Sequence, residues 1–370
     1  MTKFELSIST QYVPNWGIVE AFRELFQNAL DNEIENPGNE MGFVYDEDSQ
    51  SLRITNKTSS LTADTLLLGS TTKANEKKTI GEGYKIAFMV LLRNEKKITV
   101  YNYGAREMWT VRLVKSKKYN NQYITTVFVD KKYPWSRVPD NDLTILVEGI
   151  TREEYDEVVQ KNLHLRPVRP AMVESKNGRI LTDKEEAGNI YIKGLFIANK
   201  IDFKYGYDFE PGIISLDRDR RVLDSMRLAF ETAQLWADSA SEDDNIRDVM
   251  IRLFKQGALD ARYITQSWIT QGVKIADMIA EDFIRDYGGD AIPVVSNVEY
   301  EAVQSSGRRP VIVTNEIKEA IEKSNYSETV IVEEPKSVKE LFKEFFNKVS
   351  CCLTDEDAEY MEELIEKIAN

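Results

Sequence analysis

Apolar residues recur along this chain with two periods. Over 16–32 they fall at Ile18, Phe22, Leu25, Phe26 and Ala29, the spacing of a helix with one buried stripe. Val13-Pro14-Asn15 separates that helix from a strand-like opening segment. Past the Asn36-Pro37-Gly38 turn, 42–45 and 51–55 alternate around an Asp-Glu-Asp-Ser connection and predict a hairpin. Residues 84–92 are apolar nearly all round, which suits a buried strand or a buried helix, and the glycines just ahead favour a helix start. Strand-like runs follow at 97–103, 107–114, 122–129 and 143–148 and predict antiparallel sheet. Residues 151–162 open with Thr-Arg-Glu-Glu, a capping-box pattern.

Further on, a strand is expected over 189–197, then an apolar stretch at 213–216 and helices at roughly 222–238, 244–257 and 262–286. A strand at 291–295, a helix, a strand at 310–314 and another helix suggest a small βαβα layer, with two amphipathic helices from 337 onward. The expected organisation is an α+β domain over 1–165, a strand and helical region over 166–288, and a βαβα layer with C-terminal helices over 289–370.

Composition narrows the function classes. A chain of 370 residues with 42% hydrophobic and 30% charged residues is ordinary for folded protein and excludes fibrous or wholly disordered classes. The net charge of −14 disfavours a general phosphate-neutralising binder. Part of that surplus sits in 331–370, while 93–118 is basic and interleaved with Tyr101, Tyr103 and Trp109, as a nucleic-acid face or a lysine-decorated hairpin would be. Cys351 and Cys352 are adjacent and poorly placed for a disulfide, no apolar run approaches a membrane span, and the N-terminus lacks a targeting pattern. Together these predict a cytoplasmic protein without a membrane partner. His164, the one histidine, lies between leucines, where packing is the expected role.

Candidate chemistry begins in the first helix. Glu24, Asn28 and Asp31 stand at i, i+4 and i+7, a stripe that faces either water or a ligand. Gly81-Glu82-Gly83 precedes the buried helix, and glycines there let backbone N–H groups and the helix dipole meet an anion, although a plain helix start has the same residues.

The order of these features resembles the GHKL ATPase superfamily, which spans gyrase-type topoisomerases, the ninety-kilodalton heat-shock chaperone, sensor histidine kinases and MutL. FRELFQNALD over 22–31 is similar to its RELxxNxxDA helix, and GEGYKIAFMVLLR over 81–93 is similar to its GxGxxS helix behind the ATP lid. The resemblance covers roughly residues 10–165. It implies a Bergerat-type α/β sandwich with a mixed, mostly antiparallel sheet, ATP and magnesium as cofactors, and ATP-driven closure of a lid at about 62–80 that switches a protein partner or a dimer. It implies Glu24 as general base, Asn28 as magnesium ligand beside Asp31, and phosphates held by Gly81, Gly83 and the amides of Tyr84 and Lys85. Lys73, Lys77, Lys78 or Lys85 would neutralise them.

The second motif departs from the family. Where Asp-x-Gly-x-Gly would stand, the chain reads Asn56-Lys57-Thr58-Ser59-Ser60, so that Asn56 replaces the adenine-reading aspartate and Thr58 and Ser60 replace glycines. Asn56 can accept from the adenine amino group but supplies no charge. Thr144 in DLTILVEG resembles the threonine of the late base-side strand, with Leu143 in place of a glycine. Glu24 favours hydrolysis over phosphotransfer to histidine. The alternatives are a nucleotide-sensing module without turnover and a nucleic-acid-handling protein using 93–118. A terminal-phosphate sensor is expected at Lys193, Lys200, Lys204 or, preferentially, among Arg218, Arg220 and Arg221. Asp217 and Asp219 beside those arginines suit a metal or phosphate site or a helix cap.

Overall fold

The computed structural model describes residues 1–66, 83–131, 141–216, 224–266, 272–326 and 338–349, with single positions between 358 and 365. Contacts divide the chain into two compact units. One comprises Met1–Met172, Leu181–Lys200 and Tyr205–Leu223, and the other Val173–Ile180, Ile201–Lys204 and Asp224–Asn370.

The first unit is an α+β structure. Seven strands, β1 (Thr2–Ser9), β2 (Met41–Asp46), β3 (Ser51–Asn56), β4 (Lys97–Asn102), β5 (Glu107–Ser116), β6 (Gln122–Asp130) and β7 (Leu143–Glu148), form one sheet in the order β1-β6-β5-β4-β7-β3-β2. The pairings run antiparallel, with registers such as Thr55↔Thr144, Tyr101↔Thr144 and Phe4↔Val127. Helices α1 (Ile18–Glu35), α2 (Gly83–Arg93) and α3 (Arg152–Gln160) belong to the same unit. Phe22, Leu25 and Ala29 of α1, the fully buried run from Ala87 to Leu91 of α2, and Leu52, Ile54, Val100, Trp109, Val127 and Val147 of the sheet share one core. The stripe expected in the first helix is therefore its core face. Each Leu, Ile, Val, Met or Phe of this core contributes about 1.5–3 kcal/mol on burial.

Local chemistry sets the helix ends. The backbone N–H of Gly17 donates to Glu20 Oε2 at 2.7 Å, which starts α1. At α3 the expected capping box is present: Glu154 N donates to Thr151 Oγ1 at 3.3 Å, and Thr151 N donates to Glu154 Oε2 at 2.9 Å. At the end of α2, the Arg93 guanidinium donates to the carbonyls of Thr10, Tyr12, Val13 and Trp16, which ties down the loop that enters α1.

The strand expected over 189–197 is two strands, β10 (Asn189–Ile192) and β11 (Leu195–Asn199), paired antiparallel. Lys193 at φ +51° and Gly194 at φ +74° turn the chain between them. β12 (Gly206–Phe209) pairs parallel with β10. A buried network holds this part of the unit. Glu186 meets Arg166, Tyr191 and Asn189, and although burial raises its pKa, those hydrogen bonds outweigh it and lower the carboxyl below its ordinary value.

In chain order β8 (Met172–Ser175) and β9 (Gly178–Leu181) precede these strands. The second unit holds α4 (Ser225–Ala240), α5 (Asp244–Lys255) and α6 (Gly272–Tyr287), with Asp224 and Asp243 capping the first two. Residues 262–266, expected in a helix, are turns after a short 3₁₀ segment, and 213–215 carry no strand. The expected βαβα layer is present as β13 (Ala291–Val294), α7 (Asn297–Ser305), β14 (Arg309–Ile312) and α8 (Asn315–Glu322), with β13 and β14 parallel. Helix α9 (Val338–Val349) follows. No helix among the described residues is long and apolar enough to cross a membrane.

Candidate functional site

Three of the expected residues meet where α2 begins. Glu24 is 3% exposed on α1, and Asn28 lies one turn on, its Nδ2 donating to the Glu24 backbone carbonyl at 2.8 Å. Gly83 is the first residue of α2, and a Cβ there would lie 2.6 Å from Glu24 Oε2 and 3.5 Å from Asn28 Nδ2. A side chain at this position would have to displace the Glu24 carboxylate. Beside Glu24, Arg23 Nη2 donates to Glu24 Oε1 at 3.4 Å, Nη1 donates to Phe196 O at 3.4 Å, and the guanidinium lies 5.2 Å from the centre of the Trp16 ring.

Asp31, the third member of the stripe, accepts from Lys193 Nζ at 3.1 Å. Lys193 is in the β10–β11 turn, whose carbonyl also lies 2.8 Å from His164 Nε2. The His164 ring stacks on Phe26 at 5.7 Å. Of the expected phosphate-side residues, Lys73 and Gly81 lie outside the described residues, as do Lys77, Lys78 and the group 217–221. Lys85 is fully buried with its ammonium 5.6 Å from the centre of the Tyr84 ring. Tyr84 donates its hydroxyl to the Thr65 carbonyl at 2.6 Å, which joins α2 to the short 3₁₀ turn Ala63–Leu66. Burial pushes the Tyr84 phenol up to about 12, against the opposing contact with the Thr65 side-chain hydroxyl 3.1 Å away.

The segment expected to meet the base is built differently. Asn56 is 5% exposed, and its Nδ2 donates to Ala29 O at 2.9 Å and Asn39 O at 3.1 Å. The amide thus ties the end of β3 to α1, and Oδ1 is its acceptor. Thr58 sits at φ +49°, in the left-handed region that favours glycine, and its N–H donates to Asp142 Oδ1 at 3.2 Å. Ser59 Oγ accepts from Asn32 Nδ2 at 2.8 Å. The backbone of Leu61 is clamped from both sides by the fully buried Asn102, whose Oδ1 accepts from Leu61 N and whose Nδ2 donates to Leu61 O at 2.7 Å. Thr144 Oγ1 is 3.1 Å from Thr55 Oγ1.

Asn32, Asn102, Asp142 and Arg23 were not among the expected site residues. Asn102 had a signal: it continues the inward period of Ile98 and Val100 with an amide. The basic run 93–118 divides between tied and exposed side chains. Arg93 is spent on backbone carbonyls, and Lys96 donates to Gly149 O and to Glu154, both at 2.7 Å. Lys97, Arg106, Arg112, Lys115, Lys117 and Lys118 are exposed. No group of three or more potential metal-ligating His, Cys, Asp or Glu side chains occurs among the described residues.

No protein-family model matches the chain. It is 29% identical over 238 residues to an uncharacterized protein of Mycoplasma pneumoniae (strain ATCC 29342 / M129 / Subtype 1), a match that covers 60% of this chain and 92% of that protein. Among solved structures, it overlaps the ATPase region of Saccharomyces cerevisiae topoisomerase II bound to ICRF-187 with a TM-score of 0.32 and 7% identity, over 52% of this chain and 72% of that one. It also overlaps the ATPase and transducer domains of Balamuthia mandrillaris DNA topoisomerase II with a TM-score of 0.30 and 10% identity, over 49% of this chain and 60% of that one.

Proposed function

We propose that the first unit binds ATP with magnesium and hydrolyses it, in the manner its GHKL-like motifs imply. The observation that carries this reading is the convergence of Glu24, Asn28 and Gly83 at the N-terminus of α2. An exposed helix face would scatter a carboxylate and an amide into water. Here the carboxylate is buried against a glycine at a helix start, where backbone N–H groups and the helix dipole favour phosphate oxygens.

The residues also fit magnesium. Asn28 spends its Nδ2 on the α1 backbone, which makes Oδ1 its ligand atom, a neutral hard oxygen of the kind magnesium takes. The ion would supply positive charge against the phosphate oxygens. Glu24 orients the attacking water and accepts its proton, and its burial strengthens that interaction by excluding bulk water. Gly83 lets the α2 amides approach the phosphates. On the base side Asn56 Oδ1 accepts from the adenine amino group while Nδ2 stays on the backbone. Closure of the 62–80 segment, whose entry is held by Tyr84, switches contact with a protein partner or a second copy of the chain.

Purified protein with magnesium and ATP is expected to release phosphate. Glu24→Gln should lower release by about 10²–10⁴-fold while ATP binding persists. Binding without turnover in the parent would replace the hydrolase reading with a nucleotide-sensing module.

A further inference from the structure

The two oxygens of Glu24 have different surroundings. Oε1 accepts from Arg23 Nη2, whereas Oε2 occupies the space that a Cβ on Gly83 would need. Side chains adjacent in a helix diverge by about 100°, so Arg23 does not meet Glu24 by default. Two holds bring its guanidinium back: the face of Trp16 at 5.2 Å and the carbonyl of Phe196 at 3.4 Å. The cluster is dry, with Arg23 8%, Trp16 7% and Glu24 3% exposed. A planar guanidinium held against a ring face and a carbonyl presents an N–H to the carboxylate in a set direction, and a charge-assisted hydrogen bond out of water is a strong one.

We infer that Arg23 is the positioning residue of this site. It turns the Glu24 carboxylate so that Oε2 faces Gly83, and strand β11 reaches Glu24 through it. The inference rests on the role proposed for Glu24. Phe196, whose carbonyl anchors Arg23, is 173 residues further along the chain. That anchor is itself fixed, because Phe196 N donates to Lys161 O at 3.1 Å and the Lys161 ammonium lies 3.8 Å from the centre of the Phe196 ring. Movement of β11 therefore changes the direction in which Arg23 presents its N–H, and with it the orientation of the base.

Parent, Arg23→Lys and Arg23→Gln are compared for phosphate release at saturating magnesium-ATP, for nucleotide affinity, and by crystallography. In Arg23→Gln we expect kcat to fall by about ten- to a hundredfold, nucleotide Kd to stay at the parent value, and the Glu24 carboxylate to rotate off Gly83. Arg23→Lys should recover part of the loss. A carboxylate that keeps its orientation in Arg23→Gln overturns the inference whether or not the parent turns over, and so does parent-like kcat with a rotated carboxylate. Parent protein that releases no more phosphate than Glu24→Gln overturns the role of Glu24 instead, and the crystal structures then decide the positioning on their own. If Arg23→Gln does not fold, Trp16→Leu removes one hold and keeps an apolar side chain; it must show the same loss in kcat at constant Kd, and parent kcat there overturns the inference.

Discussion

The two ends of the candidate nucleotide site are held by opposite means. At the phosphate end, close approach does the work: Glu24, Asn28 and Gly83 come together because position 83 has no side chain. At the base end, hydrogen bonds from side chains do it. Asn32, Asn56, Asn102 and Asp142 tie down a segment in which Thr58 holds a backbone conformation suited to glycine. An end built on an absent side chain breaks when one is added, and an end built on donors breaks when a donor is removed.

The largest effect is expected from Asn56→Asp. This change removes both donors to Ala29 O and Asn39 O and sets a buried carboxylate against two carbonyl oxygens. A loss of about 2–4 kcal/mol in unfolding free energy is expected by denaturant titration. Parent-like stability would show that the Nδ2 contacts are not what holds this end.

Tyr84 ties α2 to the 3₁₀ turn at Thr65, and its effect is visible in alkali. Its folded pKa of about 12 lies above the ordinary value of 10.0, so the folded state keeps a proton that the unfolded state gives up. The stabilisation is fully present below pH 10 and is lost as pH rises toward 12, by up to about 2–3 kcal/mol. Tyr84→Phe should flatten that alkaline slope and lower stability at neutral pH by about 1 kcal/mol for the lost bond to Thr65. An unchanged slope would place the phenol in water.

Gly83→Ala tests the phosphate end. The new Cβ must displace Glu24 Oε2, and phosphate release should fall by about tenfold or more. Thermal stability should hold, since alanine is the better helix residue by up to about 1 kcal/mol. The smallest effect is expected from Thr58→Gly, which relieves the left-handed strain of an exposed side chain and should stabilise the protein by about 0.5–1 kcal/mol after the entropy of glycine is counted.

The same contrast explains what could be read from the chain. The α1 stripe, the hairpin of β2 and β3, the strands β4 to β7 and the capped α3 follow from local spacing, and the structure has them at those places. That Glu24 and Asn28 stand one turn apart on a helix and that Gly83 opens another was legible, because a helix motif and a glycine turn are local signals. The base end was not, because the contacts of Asn102 with Leu61 and of Asp142 with Thr58 join residues 41 and 84 positions apart. The break between β10 and β11 was missed because Lys193 is an unusual residue for a left-handed turn. β8, β9, β10 and β12 are four residues each, too short for alternation to declare them.

The pairing of β1 with β6 sets a timetable for the growing chain. Thr2 pairs with Val129, so β1 waits for a partner strand made roughly 6–25 s later at synthesis rates of about 5–20 residues per second. During that interval it is a bare edge carrying Phe4, Leu6 and Ile8, and Lys3 and Glu5 supply the charges that discourage the wrong neighbour from adding to it.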